Sequence, residues 1–197
     1  MTDAVTPPSP NALQARIPNL LSAIRLGLVP VFVAVALNQA DAGVTAGWTS
    51  PAFWLIVAAG SSDMLDGYLA RRWGVTSRVG ALLDAVADKS LQFTALVTIT
   101  FLGRPLFTQL PLWLVSAVFV RDLTLLGGWL LLRRLDKPVS FEHESHGRIA
   151  TVLVLGLVLV ATLGVAEAIL MPASAVAALA ALLSAGAYLR RGYRLAR

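Results

Sequence analysis

Four aspartates carry the chemistry that this chain can do. Asp63 and Asp66 stand three apart in "SSDMLDGYLARRW", and Asp84 and Asp88 stand four apart in "RVGALLDAVADKS". On a helix each pair shares one face, with its members ~4.5–6 Å apart along the axis. The segment between the pairs, "RRWGVTSRV", reads as a short turn. Helices joined by it are antiparallel neighbours, so the two pairs can face each other as one cluster of carboxylates. Like charges in contact force protonation unless a counter-charge is present. Near lipid the cost grows, since one Asp at mid-membrane is unfavourable by ~2.5–3.5 kcal/mol. A divalent cation resolves both problems. Carboxylates with no cysteine and no nearby histidine suit a hard ion, Mg²⁺ or Mn²⁺. Two such ions about 4 Å apart suit phosphoryl transfer. The other candidates for neutralising the acids are Arg71, Arg72, Arg78 and Lys89, in structural ion pairs. Gly67, Ala70 and Gly80 leave a bare helix side near the acids, which serves either a ligand or close helix packing.

The elements that must position these acids are apolar helices. Only 14% of the 197 residues are charged and the mean hydropathy is +0.73. A soluble domain carries about 25% charged residues. We therefore expect an all-α polytopic membrane protein, a bundle of six transmembrane helices. The expected spans are 20–37, 51–66 with a continuation through "GYLARRW", 80–102, 110–132, 149–165 and 173–189. Pro111 and Pro172 fall at the starts of spans, where a missing N–H is tolerated. The run "ASAVAALAALLSAGA" suits close helix packing. Residues 1–16 are expected to form a flexible tail without the layout of a signal peptide, and residues 17–197 one membrane domain. The absence of cysteine excludes disulfides and thiolate metal sites.

Basic residues orient the bundle. Arg16, the group Arg71, Arg72 and Arg78, the group Arg133, Arg134, Lys137 and Arg148, and the C-terminal Arg190, Arg191, Arg194 and Arg197 fall on one side. Arg104 alone falls on the other. The positive-inside rule places both termini and the acidic cluster on the cytoplasmic side of the inner membrane. The net charge of +5 is explained by anchoring on anionic lipid, so nucleic acid is not expected as a partner. Trp48, Trp54, Trp73, Trp113 and Trp129 mostly read as interface anchors.

Asp63, Asp66, Gly67, Ala70, Arg71, Gly80, Asp84 and Asp88 together match every fixed position of the motif of the CDP-alcohol phosphatidyltransferases. "IPNLLSAIRLGLVP" resembles the first helix of bacterial phosphatidylglycerophosphate synthases, and "VRDLTLLGG" and "GRIATVL" resemble later family segments. The resemblance implies a homodimeric six-helix enzyme with a polar cavity facing the cytoplasm. Such an enzyme transfers a phosphatidyl group from CDP-diacylglycerol to an alcohol and releases CMP. It implies that Asp63, Asp66 and Asp84 bind metal. It makes Asp88 the catalytic base, with a place in the metal site as well. Gly67, Ala70, Arg71 and Gly80 would line the CDP pocket. Asn19 and Ser22 either contact the nucleotide or cap the first helix.

The acceptor depends on cations placed in or beside apolar spans, where an unpaired charge is costly. We take Arg121 and Arg148 as phosphate contacts for an anionic acceptor such as glycerol 3-phosphate. Arg25 stands open between that role and a structural one. Asp122 adjoins Arg121, but adjacent helix positions do not face each other, so no pairing between them is expected. Ala85 stands where many phosphatidylglycerophosphate synthases have proline, and Arg121-Asp122 stands where they tend to have Arg-Glu. Arg-Asp looks more like the CMP-forming cardiolipin synthases, which use phosphatidylglycerol. That is the alternative reading of the acceptor. His143 and His146, with Glu142 and Glu144, read as a solvated loop rather than a metal site. An ion transporter would need polar residues through the opposite half of the bundle, and none are evident. A non-catalytic lipid-binding relative would be expected to lack one of the aspartates, and all four are present.

Overall fold

A computed structural model describes residues 12–44, 46–73, 78–103, 106–134 and 145–196. Within its helices, the side chains of residues 12–16, 18, 66, 70, 71, 78, 132, 133, 145–148, 191 and 193–196 are outside that description. Six helices and no strand are found among the described residues: α1 (Ala12–Asp41), α2 (Pro51–Trp73), α3 (Arg78–Leu102), α4 (Leu112–Arg134), α5 (Ser145–Thr162) and α6 (Glu167–Ala196). Each expected span falls on one of them. Helix α1 starts earlier than the apolar pattern, at Ala12, inside the stretch expected to be a tail. Residues 1–11 lie outside the described residues.

Three of the six helices are long and apolar enough to cross a membrane by length and composition, through Asn19–Asp41, Leu112–Leu131 and Glu167–Arg190. Helices α2 and α3 have the length, at 23 and 25 residues, but carry the acidic pairs and their flanking arginines. Helix α5 offers the shorter apolar stretch Ile149–Thr162. The charges that make α2 and α3 chemically interesting are thus the same ones that lower their apolarity.

Pro172 departs from expectation. It lies inside α6, which begins at Glu167, instead of preceding the helix. The helix starts on the carbonyl of Ala166, which accepts from the amides of Ile169 at 2.9 Å and Leu170 at 3.2 Å. Pro172 forfeits one bond to the preceding turn, and its ring is exposed, so the helix continues past it. Pro111 behaves as expected: it precedes α4, and its carbonyl accepts from the amide of Leu114 at 3.0 Å. At the start of α2, the side chain of Gln39 closes the helix end. Its Oε1 accepts from the amide of Ala52 at 3.2 Å, and its Nε2 donates to Ser50 Oγ at 3.1 Å.

The packing divides the bundle lengthwise. Helix α1 packs mainly on α3 and α2, and α6 on α4 and α5, while α3 and α2 meet α5 and α3 meets α4 more lightly. The apolar core is gathered at one end. Phe32, Ala36, Ile56, Leu96, Ile99, Phe107, Leu114, Val158 and Leu170 are buried there, from the second halves of α1, α3 and α5, the first halves of α2, α4 and α6, and the 103–111 connection. Burying a Leu, Ile or Phe side chain contributes about 1.5–3 kcal/mol each when water is the reference. The Ala-rich run packs closely as expected, with Ala177, Ala178, Ala181 and Ala185 buried on α6. Gly128 of α4 lets Tyr188 of α6 approach: a Cβ there would lie 2.5 Å from its ring. Large apolar side chains such as Val31, Leu123, Leu130, Val152 and Leu183 point outward. That pattern fits lipid as the surrounding solvent.

The turn after α5 is held by Gly164 at φ +74°, a left-handed conformation that side chains rarely adopt. Space is also lacking, since a Cβ at Gly164 would meet the Cβ of Ala46 at 2.8 Å. Nearby, the amide of Gly47 donates to the carbonyl of Thr162 at 3.0 Å, which ties the two connections together. Gly156, within α5, has open space beside it. We expect Gly164→Ala to lower stability by about 1–2 kcal/mol from backbone strain alone, with the collision adding to it. Gly156→Ala should be neutral or stabilising, because alanine favours the helix. Thermal melting of the two variants in detergent checks this contrast.

Candidate functional site

The acids converge at the end of the bundle opposite the core. The expectation that α2 and α3 pack as antiparallel neighbours is corrected: among the described residues α1 packs on both of them, α2 and α3 hardly touch each other, and their acids meet across α1. Asp63 of α2 and Asp84 of α3 meet on a single atom of α1: Arg25 Nη1 lies 2.9 Å from Asp63 Oδ1 and 2.9 Å from Asp84 Oδ1. The Arg25 side chain is fully buried, while those of Asp63 and Asp84 are 42% and 46% exposed. The guanidinium therefore sits beneath the acids, and the acids open outward. Asp88 belongs to the same cluster, interacting electrostatically with Asp63, Lys89, Arg25 and Asp84.

Helix α1 contributes more than a charge. Ser22 precedes Arg25 by three positions, so both lie on one face. Ser22 Oγ donates to Asp84 Oδ1 at 3.3 Å. Arg25 Nε donates to Ser62 Oγ at 3.4 Å, and Ser62 Oγ donates back to the carbonyl of Ala59 at 2.7 Å. Asp84 Oδ1 thus accepts from two side chains of α1, in a cleft shared by three helices.

A second polar cluster adjoins the first. Lys89, next to Asp88, places Nζ 3.2 Å from both carboxylate oxygens of Asp122 and 3.4 Å from Gln92 Oε1. Arg121 Nη1 lies 3.4 Å from Asp122 Oδ1 and 3.4 Å from Thr151 Oγ1. Helices α3, α4 and α5 are joined by this chain of contacts. It corrects the expectation that Arg121 and Asp122 do not pair. Their Cβ atoms diverge, but the arginine chain is long enough to fold back to its neighbour. Arg121 is 3% exposed, so any phosphate it contacts must enter a buried network. Lys89 neutralises Asp122 instead of joining Asp63 or Asp84.

The remaining expected residues divide by placement. Gly67 of α2 and Gly80 of α3 are half-buried near the acids. Asn19 is half-buried one turn before Ser22. Neither Asn19 nor Ser22 can cap α1, because that helix starts at Ala12. Asp66, Ala70 and Arg71 lie on α2 and Arg148 on α5, but their side chains are outside the described residues, as is His146; His143 is outside them entirely. The partner that sequence reasoning missed is Arg25. Its signal was the cost of a cation inside an apolar span together with a serine three positions earlier. Nothing in the spacing linked that face to α2 and α3.

The donor set fits a hard divalent cation: the ligating atoms offered are carboxylate oxygens, from two helices, partly exposed and anionic. Among the described residues, no group of three acidic or histidine side chains is by itself close enough to hold a metal ion. Arg25 occupies the centre, and Asp66 is the acid not described there.

Comparisons with known proteins give the chain's family. Residues 15–182 match the profile of the CDP-alcohol phosphatidyltransferases. The chain is 40% identical over 123 residues to a CMP-forming cardiolipin synthase of Streptomyces coelicolor, covering 62% of this chain and 54% of that protein. It is 39% identical over 112 residues to a chloroplastic CDP-diacylglycerol–glycerol-3-phosphate 3-phosphatidyltransferase of Oryza sativa, covering 57% of this chain and 30% of that protein. Over 139 residues it is 32% identical to the CDP-diacylglycerol–glycerol-3-phosphate 3-phosphatidyltransferase of Aquifex aeolicus, covering 70% of each. The matched region spans about half the length of the Streptomyces protein and less of the rice one. With its acid cluster inside a profile match that runs through all six helices, the chain belongs to the CDP-alcohol phosphatidyltransferase family.

Proposed function

We propose that this protein is a membrane enzyme of phospholipid synthesis. It transfers the phosphatidyl group of CDP-diacylglycerol to an acceptor alcohol, most simply glycerol 3-phosphate, and releases CMP. The observation that carries this reading is the convergence of Asp63, Asp84 and Asp88 at one end of the bundle, within the matched family region. Asp63, Asp66 and Asp84 hold Mg²⁺ or Mn²⁺, two ions in the fullest form of the site, with Asp88 beside them. When bound, the metal supplies Lewis-acid charge at the diphosphate, so that CMP leaves without a strong acid. Gly67, Ala70, Arg71 and Gly80 line the space for CDP, with Asn19 nearby on α1. Asp88 accepts the proton of the acceptor hydroxyl as its oxygen bonds to phosphorus and the bond from phosphorus to CMP breaks. A carboxylate is a weak base towards an alcohol, so that proton moves late.

The same reading includes six membrane spans, placement in the inner membrane, an active site on the cytoplasmic side and a homodimer. Helices α2 and α3, at 23 and 25 residues, extend about 35 Å or more, enough for a hydrocarbon core of about 30 Å. Asp84 lies about 9 Å into α3 and Asp63 about 15 Å from the end of α2, so the acids approach the headgroups where the last turns of α2 and the first turns of α3 extend beyond the hydrocarbon. The homodimer rests on the family resemblance. Arg121 and Arg148 bind the acceptor phosphate, with Lys89 and Asp122 fixing the position of Arg121.

A second acceptor has its own support. The Streptomyces relative is a CMP-forming cardiolipin synthase, and Arg121 pairs with an aspartate as that branch favours. Phosphatidylglycerol would then replace glycerol 3-phosphate. Purified protein supplied with CDP-diacylglycerol and Mn²⁺ should release CMP with glycerol 3-phosphate. Turnover with phosphatidylglycerol alone would move the assignment to cardiolipin synthesis, and no CMP with any alcohol would refute the transferase reading. Chelation by EDTA should stop CMP release, and Mn²⁺ or Mg²⁺ should restore it. Asp88→Asn should lower turnover by about 10²–10⁴-fold while CDP-lipid binding is largely kept. Unchanged turnover in that variant would remove the base from Asp88.

A further inference from the structure

Arg25 holds the atoms that a metal would need. Its Nη1 sits 2.9 Å from Oδ1 of Asp63 and 2.9 Å from Oδ1 of Asp84, on a side chain with no exposure at all. Ser22 donates to Asp84 Oδ1, and Ser62 Oγ accepts from the guanidinium Nε. Among its partners, those two carboxylates supply the negative charge that a fully buried guanidinium needs. Conversely, the carboxylates avoid mutual repulsion in this structure because the guanidinium lies between them.

A divalent ion seeks the same carboxylate oxygens. Two cations on one pair of Oδ1 atoms would repel each other strongly, since charges a few ångströms apart interact by kilocalories even at the effective dielectric of a protein surface. Asp63 and Asp84 are open on the side away from Arg25, so an ion has a route to them. We propose that Arg25 is a resident counter-cation that competes with the divalent ion for Asp63 and Asp84 and thereby sets the metal affinity of the site. Arg25 is a positioning residue in this account. It keeps α1 on α2 and α3 before the ion arrives, and it opposes the ion's entry. The inference rests on the metal-binding part of the proposed function, and on Arg25 geometry that the motif of acids does not contain.

Competition makes a prediction that a merely structural role does not. Removing a residue that only supports the site weakens the metal; removing a competitor tightens it. Mn²⁺ binding to the full-length protein in detergent is read by the electron paramagnetic resonance signal of the free ion, beside thermal melting in EDTA. Arg25→Gln removes the charge and keeps hydrogen-bonding atoms. Its Mn²⁺ dissociation constant is expected to fall about tenfold below that of the parent. Arg25→Lys keeps a charge but loses the planar fork, and its constant is expected to fall by less. In EDTA, Arg25→Gln should melt below the parent, and Mn²⁺ should raise its melting temperature by more than it raises the parent's. If Arg25→Gln does not fold, Arg25→Lys decides alone. Parent protein that binds Mn²⁺ as tightly as the variants, or more tightly, overturns the inference, and so does parent protein with no saturable Mn²⁺ site. CMP release is measured separately. Its absence with the affinity order intact would sink the transferase reading and leave this inference standing, and the reverse result would do the opposite.

Discussion

The arrangement depends on one buried guanidinium held between two carboxylates from different helices. Asp63 and Asp84 belong to α2 and α3, and Arg25 to α1, so a single nitrogen joins three elements. Neither acid could sit where it does as an isolated anion in an apolar setting, and Arg25 could not be buried alone. Each charge makes the others tolerable. The helices are thereby pinned at the end where the apolar core is thin. At the other end, packed Phe, Leu and Ile side chains do the joining without help from charge. The bundle is apolar at one end and ionic at the other, and the two kinds of cohesion hardly overlap.

The second cluster repeats this logic between α3, α4 and α5. Lys89 and Arg121 share Asp122, and Thr151 Oγ1 accepts from both Nη atoms of Arg121. Asp88 and Lys89 are neighbours in α3, so the two clusters meet there. A change in the charge on Asp63 or Asp84 is therefore felt at Asp88 and, through Lys89, at Asp122.

Much of this was legible from residue types and spacing. Each of the six apolar stretches fell on a helix, though α1 begins eight residues before the expected span and α6 ends seven after it, and three of the six are long and apolar enough to cross a membrane. The aspartate spacing pointed to one face on each of α2 and α3, and Asp63 and Asp84 do meet at Arg25, while the side chain of Asp66 lies outside the described residues. The short connection did not make α2 and α3 packing partners, because α1 packs against both. Three features were not legible. The role of Arg25 required knowing which face of α1 meets α2 and α3, and no local pattern encodes that rotation. The Arg121–Asp122 contact required the reach of a long side chain, which sequence adjacency hides. The path of α6 through Pro172 required knowing that the ring points outward, where a lost backbone bond is tolerated.

The one-ended placement also bears on what kind of protein this is. A conduit for ions needs polar groups at successive depths, so that an ion is never left without partners. Here no acid follows Asp88 along α3, and beyond it the described interior is mostly apolar, with Phe32, Leu96, Ile99, Phe107 and Leu114 buried and only neutral polar side chains such as Gln92, Thr98 and Thr100 among them. An ion reaching Asp63 or Asp84 would meet no further charge beyond Asp88 on that path. A reaction at a lipid headgroup asks for the opposite arrangement. The diphosphate of a lipid-linked nucleotide lies at the interface, its acyl chains lie alongside the helices, and only the reacting atoms need charge. An acidic cleft beside a mostly apolar core is compatible with the reaction proposed above.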